Sequence, residues 1–361
     1  MSVGSTGEAI INGMDDSTSD PSVVMVISQV PNSNMASLCT GEVISPHVVL
    51  TAAHCVDPAV IGAGAVTYVY IGGVLMMPVP PADLLATQAV EFDTAFDMNH
   101  PENGHDVGLA ILTTATNLVP LPYNQVAVPG AMVNQAARLV GYGITMASDS
   151  TGATAGTRRT APTVLAGVDT TFVGLQDGMH GICEGDSGGP AFMTYGSTER
   201  IVGVTSFGFN NCPLTPPTGT PSGFYAGNDT NIATYASFIN MYVNMFDPPA
   251  KPQGGSCTSD ADCAPLSCVQ VGNGSVCEPQ CDPTATPSTC PSGTTCSDVN
   301  GNNVCAPAGG GGGSGGSGGG NGNNGGGKSG GCALGGDAPV GGMGLLFAMV
   351  ALVALRRRVR S

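Results

Sequence analysis

The sequence predicts a mainly β protein closed by one helix and continued, at its C-terminal end, by a disulfide-rich module, a flexible tether and an apolar tail. Three observations carry this. Short runs rich in Val and Ile are broken at frequent intervals by Gly and Pro, the punctuation of sandwiches and barrels. Near residue 240 the apolar residues fall instead at helical spacing. From Gly254 the composition changes abruptly to Cys, Gly, Pro and Ser, with almost no large apolar side chains.

Composition bounds the partners. The 361 residues leave room for two domains and appendages. Thirteen cysteines imply an oxidising compartment. There are 26 acidic residues against 10 basic ones, and four of the basic ones, Arg356, Arg357, Arg358 and Arg360, lie within the last six positions. The body is therefore strongly acidic, which excludes nucleic acid as a partner, because phosphate backbones call for basic patches. It fits an exported protein. Residues 1–9, read as a residual pro-segment, show no basic n-region followed by an apolar h-region.

Val23 to Ile27 and Gly41 to Ile44 read as short strands, separated by Pro31-Asn32-Ser33-Asn34. Leu50-Thr51-Ala52-Ala53-His54-Cys55 follows. An imidazole titrates near neutrality, so His54 is suited to take a proton and return it. His105-Asp106 then enters the apolar run Val107 to Leu112, which places an acid at the mouth of a buried strand, where it can fix the tautomer of an imidazole. Asp93 and Asp97 precede no such strand. His47, His100, His105 and His180 lack a comparable context and read as solvated. Gly185-Asp186-Ser187-Gly188-Gly189-Pro190 supplies a nucleophile on a glycine-rich loop whose N–H groups can converge on one point, Gly185 and Ser187 being the donors. The order His54, Asp106, Ser187 is that of one class of serine hydrolase and differs from two others.

These three motifs resemble the chymotrypsin/trypsin-like serine endopeptidases, and the resemblance runs from Ile10 to about Asp247. It implies two packed six-stranded antiparallel β-barrels in a domain spanning 10–247, with Ser187 attacking, His54 shuttling the proton, Asp106 orienting His54, and protein or peptide substrates. Neither a metal nor a nucleotide is called for. The resemblance further implies disulfides Cys39–Cys55 and Cys183–Cys212, and an activation pair in which cleavage after Ala9 frees the amine of Ile10 to meet Asp186. Closing the loop between Cys39 and Cys55 constrains the unfolded chain by roughly 3 kcal/mol in the entropy account. Gly141-Tyr142-Gly143 falls where the family opens its second barrel, and Ser148 to Arg159 reads as a surface loop near the cleft. The substrate pocket maps to a floor at Gly181, walls at Ser206-Phe207-Gly208 and Gly223, and a rim at Glu184. With glycine at both wall positions and no Asp at the floor, a large apolar side chain before the scissile bond is expected, and Glu184 should repel acids. Phe207 stands where relatives usually carry Trp.

Residues 231–246 should form one amphipathic helix on the second barrel, ended by Pro248 and Pro249. After a linker at 248–256, eight cysteines fall between Cys257 and Cys305, a module (257–305) that must be held by bridges because it has so little core. The spacing leaves 105 connectivities open and disfavours zinc. Residues 306–331 form a Gly/Ser/Asn tether with a root-mean-square span of about 25–30 Å. Gly322 to Ser329 satisfies G-x4-G-K-S within it, but no strand precedes the match and no helix follows, so no phosphate site is read there. In 332–361, Cys332, the uncharged stretch Ala338 to Leu355 and the arginines resemble the MYXO-CTERM sorting signal of myxobacterial exported proteins. That resemblance implies a transmembrane segment, a sorting or processing protease, lipid attachment near Cys332 and a place at the cell surface or outer membrane. An ordinary single-pass anchor is the alternative. A rival reading of the whole chain is a silent protease homologue that adheres to a surface through its Cys-rich module.

Overall fold

The computed structural model describes residues 10–307, apart from 32–35, 150, 196–197, 250, 264–265, 272–273, 284–289, 291–293 and 300. The pro-segment, tether, Cys332 and the apolar tail lie outside the described residues. Among the described residues no helix is long and apolar enough to cross a membrane.

Strand β1 (Met14–Asp15) is followed by β2 (Val23–Gln29), β3 (Ala36–Ser45), β4 (Val48–Thr51), a one-turn helix α1 (Pro58–Ile61), β5 (Val66–Tyr70), β6 (Leu84–Phe92) and β7 (Gly108–Leu112). Strands β2 to β7 close into a six-stranded barrel in the order β2-β3-β4-β7-β6-β5. The run read as a barrel strand, Gly108 to Leu112, is wholly buried, and each of its Leu and Ile side chains contributes on the order of 1.5–3 kcal/mol by leaving water. Its register places the site. Thr51 pairs with Gly108, so His54, just after β4, and Asp106, just before β7, leave the barrel at one rim. Gly108 is required there, since a Cβ would stand 2.7 Å from Val56 Cγ2 and 2.8 Å from Ala52 O.

The second barrel comprises β8 (Ala136–Gly141), β9 (Arg159–Val168), β10 (Phe172–Leu175), β11 (Pro190–Tyr195), β12 (Thr198–Gly208) and β13 (Gly227–Asn231). It closes through β8 pairing with both β9 and β11, and β1 is added at the edge of β9. Pro190 pairs with Val204, so the nucleophile loop before β11 and Ser206 near the end of β12 share a rim. The stretch read as a surface loop to Arg159 ends inside the protein instead. Arg158 is buried, its guanidinium donating to the carbonyls of Asp16, Ser17 and Val23 and to Tyr142 Oη at 3.0–3.1 Å. Four acceptors, three of them backbone, make a buried cation tolerable.

The predicted helix begins as a 3₁₀ turn at Ile232–Tyr235 and continues as α2 (Ala236–Phe246). Asn231 caps the turn by accepting from Ala233 N. The expectation that it packs on the second barrel is corrected. Its buried residues Ile239 and Val243 join the core that holds Val49 and Leu50 of the first barrel. At its end Asp247 accepts from Ser45 Oγ, His47 N and His47 Nδ1, each at 2.7 Å, all first-barrel groups.

The eight module cysteines pair 257–268, 263–277, 281–296 and 290–305. The first bonds to the third and the second to the fourth, twice in succession. Each half carries a hairpin, β14 (Ser267–Val271) with β15 (Gly274–Glu278) and β16 (Thr294–Val299) with β17 (Asn302–Pro307), and in each hairpin two cysteines stand opposite one another, Cys268 with Cys277 and Cys296 with Cys305. The module docks on the peptide connecting the barrels and on β12. Gln280 donates to Tyr123 O at 3.0 Å and accepts from Gln125 N at 3.1 Å. Arg200, 3 % exposed, donates from Nε and Nη2 to Asn302 Oδ1 at 3.3 Å and lies 3.6 Å from Asp260 Oδ2.

Candidate active site

Asp106 is buried at the meeting of the barrels, and four groups hold it. Its Oδ1 accepts from His54 N at 3.0 Å, its Oδ2 lies 2.8 Å from His54 Nδ1 and accepts from Ser206 Oγ at 2.6 Å, and its carbonyl accepts from Thr230 Oγ1 at 2.9 Å. An ionised carboxylate only accepts, so Nδ1 of His54 carries the proton and Nε2 is left as the basic nitrogen. Burial opposes charge on the His54 ring, but the charge and hydrogen bond of Asp106 outweigh it and raise the imidazole pKa.

The other acids and imidazoles near this rim are accounted for elsewhere. Asp93 pairs with His105 Nδ1 at 2.8 Å, and Asp97 accepts from Asn99 N. The four histidines read as solvated are in fact each held through Nδ1 by a carboxylate, His47 by Asp247, His100 by Glu102, His105 by Asp93 and His180 by Asp177. The protein is so rich in acids that every imidazole meets one.

Ser187 sits on a loop gripped by the first barrel. Its carbonyl accepts from Thr40 N at 2.8 Å, with Cys55 Sγ 3.6 Å from the same oxygen. The disulfide Cys39–Cys55 thus brackets both the His54 turn and the back of the nucleophile. Thr40 Oγ1 donates to Gly185 O at 2.9 Å and accepts from Tyr142 N at 3.1 Å. Gly185 and Gly188 both adopt positive φ, +96° and +81°, and a Cβ on Gly188 would fall 2.1 Å from Thr51 Oγ1. Within the loop, the N–H groups of Asp186, Gly188 and Gly189 are bonded to Cys183 O, Thr205 O and Asp186 O. Among the described residues no acceptor meets the N–H of Gly185 or of Ser187.

Asp186 is buried, with Oδ1 accepting from Gly143 N and Oδ2 from Cys183 N, both at 2.9 Å. Burial pushes its pKa up to about 7, against these two hydrogen bonds and the charge of Arg159. The Gly-Tyr-Gly motif has its reason here: a Cβ on Gly141 would stand 2.2 Å from Asp186 Oδ1 and one on Gly143 2.7 Å. Ile10 is 1 % exposed and belongs to the second-barrel core. It does so at φ +50°, a region that costs a β-branched residue on the order of 1–3 kcal/mol. Ile11 N donates to Gly181 O at 2.8 Å.

A cavity of about 570 Å³ opens beside Ser187, between Ile182-Cys183-Glu184 and the stretch from Thr205 to Cys212. The bridge Cys183–Cys212 joins its two sides, and Ser206, Phe207, Gly208 and Glu184 lie along it as expected. Gly181 and Gly223 do not. Gly181 is covered by Leu214, whose Cδ2 would be 3.2 Å from a Cβ there, and Gly223 is on an exposed turn at φ +96°. Phe207 packs edge-on against Phe172, ring centroids 5.4 Å apart. Ile182, passed over in the sequence because it is one apolar residue between two conspicuous neighbours, occupies the space beside Gly208 and Gly227. Thr40 and the hydroxyl of Ser206 were also missed as structural parts of the site, since nothing local marks a threonine after a cysteine.

The buried Asp106–His54 pair, the serine loop gripped beside it and the adjoining cavity recur across serine hydrolases, but the double barrel narrows the choice. Residues 11–226 match the protein family Trypsin. The match spans more than half of the chain and both barrels up to β13, and we conclude that this chain belongs to the trypsin family of serine peptidases.

Proposed function

We propose that the protein is an endopeptidase that hydrolyses peptide bonds through an acyl-enzyme on Ser187. Ser187 Oγ attacks the substrate carbonyl carbon while His54 Nε2 takes its proton. The carbonyl oxygen becomes an oxyanion that accepts from the N–H groups of Gly185 and Ser187. Collapse breaks the C–N bond, and the amine leaves with the proton from His54. A water deprotonated by His54 then attacks the ester and frees Ser187. Asp106 keeps the proton on Nδ1 throughout and offsets the charge of the imidazolium.

The observation that carries this reading is the pair of N–H groups at Gly185 and Ser187 left without a protein acceptor, in a loop whose other backbone N–H groups, those of Asp186, Gly188 and Gly189, are bonded. The Ile10–Asp186 activation pair is part of the proposal. It is supported by a buried carboxylate whose hydrogen bonds come from the backbone N–H groups of Gly143 and Cys183, and by an Ile10 side chain already seated in the core at a φ that cleavage of the preceding bond would release. We further propose export and retention at the cell surface through the Cys332 tail. The acidic body and six disulfides of a kind typical of extracellular proteins support export; retention rests on the sequence of the tail alone.

Intact mass after treatment with a fluorophosphonate, combined with N-terminal sequencing, tests the proposal. The expected result is one adduct on Ser187 in a chain that begins at Ile10, absent from Ser187→Ala. No adduct on a chain that does begin at Ile10 would overturn it.

A further inference from the structure

The geometry points to a shortened substrate pocket: Ile182, backed by Leu214, closes its base, so the site takes small uncharged side chains before the scissile bond. This rests on the reading of Ser187 as the nucleophile and replaces the large apolar preference expected from the sequence.

The argument begins with a rung of two glycines. Gly208 of β12 pairs directly with Gly227 of β13. Two opposed residues without side chains leave a slot on the sheet surface beside Ser187, and an open slot of this kind is what would admit an aromatic ring. Here it is already filled. A Cβ on Gly208 would stand 3.6 Å from Ile182 Cδ1 and Cγ1, and one on Gly227 would stand 3.4 Å from Ile182 Cγ1 and 3.5 Å from Cδ1. The Ile182 side chain therefore lies in van der Waals contact across both glycines. It is only 7 % exposed and is continuous with the second-barrel core, so it cannot swing aside without leaving a void. Behind it, Leu214 covers Gly181, its Cδ2 standing 3.2 Å from where a Cβ on Gly181 would lie, which removes the deeper floor.

What remains is a cavity with an apolar base at Ile182 and a polar rim that includes Glu184, Asn210 and Asn211. A methyl or isopropyl group can rest on Ile182. A phenyl or isobutyl group must stop above it, short of burial, and forfeits the area it would otherwise remove from water. An acidic side chain meets Glu184. Alanine, valine, serine and threonine are the residues that fit. The chain carries one such bond at its own maturation point, Ala9–Ile10. On this reading a second copy of this protein is a substrate of the site at Ala9–Ile10.

The test uses the full-length chain, with active sites counted by fluorophosphonate labelling, and four tetrapeptide anilides that differ only in the residue before the scissile bond: Ala, Val, Leu or Phe. The wild type should cleave Ala and Val with kcat/KM at least about tenfold above Phe. Ile182→Gly should raise the Phe-to-Ala ratio of kcat/KM about tenfold or more. Ile182→Val, which keeps the core filled, should shift the ratio in the same direction by less, so that a misfolded glycine variant does not decide the matter. Phe cleaved as fast as Ala, or a ratio unmoved by both variants, overturns the pocket assignment. Full-length Ser187→Ala incubated with wild type should acquire an Ile10 terminus. Its failure to do so, with enzyme that hydrolyses the Ala anilide, overturns self-maturation. A chain that neither labels nor cleaves any of the four overturns the peptidase reading itself.

Discussion

Ser206 Oγ donates to Asp106 Oδ2 across 2.6 Å, on the same oxygen that faces His54 Nδ1. A residue of β12 thus helps to hold the acid of the first barrel in line with its imidazole. Ser206→Ala leaves a buried carboxylate one donor short, at a cost of about 1–3 kcal/mol. The variant should lose about tenfold in kcat with KM little changed, because the loss falls on the orientation of His54 rather than on substrate contacts. Steady-state kinetics on the alanine anilide checks this, and an effect on KM alone would contradict it.

The pH profile should carry the mark of Asp106. Its charge and hydrogen bond raise the His54 pKa above the ordinary 6.5, and the general base must be neutral to act, so the acid limb of kcat/KM should fall above that value. Asp106→Asn removes the charge, should move the limb down, and should lower kcat on the order of 10⁴-fold through loss of the correct tautomer. Rate measurements from pH 5 to 9 separate the two effects.

Asp186 makes a prediction about stability. Its folded-state pKa of about 7 is raised above the unfolded value near 3.8, so in the uncut chain the folded state keeps a proton that the unfolded chain has released. Stability from this group is present below about pH 4 and is lost as pH rises toward 7, up to about 4 kcal/mol. An ammonium at Ile10 reverses the sign by favouring the carboxylate. Thermal unfolding of Ser187→Ala, uncut against a form produced to begin at Ile10, should show Tm falling more steeply between pH 4 and 7 in the uncut chain. Parallel curves would refute the activation pair.

Glu42 is fully buried, neither of its carboxylate oxygens has a hydrogen-bond partner in the structure, and burial, helped by Asp229, raises its pKa well above the usual carboxylate range. Since the folded pKa is raised, the penalty of ionisation grows as pH climbs past about 4.5. Glu42→Leu should stabilise the protein by about 1–3 kcal/mol near neutrality and less at pH 4, measurable by urea unfolding at the two pH values.

Arg200 tests the docking of the module. It is buried in β12, with Asn302 and Asp260 of the module as its neighbours. Asn302→Ala with Asp260→Ala should cost about 3 kcal/mol by stranding the guanidinium. Arg200→Met in that background should restore most of it. Differential scanning calorimetry on the full chain reads both, and a double variant as stable as the wild type would mean that the module rests on the barrel without bracing it.

The three motifs proposed as catalytic stand out in the sequence because each combines a rare residue type with a local pattern: His54 before Cys55, Asp106 before an apolar run, Ser187 among glycines. The pocket stands out less. Gly181 and Gly223 were assigned by position, but whether a glycine opens a cavity depends on what side chain fills the space it leaves, and Leu214, more than thirty residues on, is what covers Gly181. The module shows a second limit. Its repeat is visible in the equal last spacing of each half, Cys268 to Cys277 and Cys296 to Cys305. Its contacts with the connecting peptide and with β12 rest on single polar residues, Gln280 and Asn302, which no periodicity marks. The helix was placed correctly along the chain and on the wrong barrel, because an apolar face carries no address.

Thr40 has a consequence for treating the barrels as exchangeable parts. One first-barrel residue donates to Ser187 O and Gly185 O, accepts from Tyr142 N, and takes Thr51 Oγ1 on its own carbonyl. A hybrid that joined residues 10–125 of this chain to the second half of a relative would have to bring matching geometry at this one residue, or the Ser187 loop would lose its first-barrel anchor. The natural unit of recombination in this protein is therefore smaller than a barrel and larger than a motif, and its border runs through a threonine.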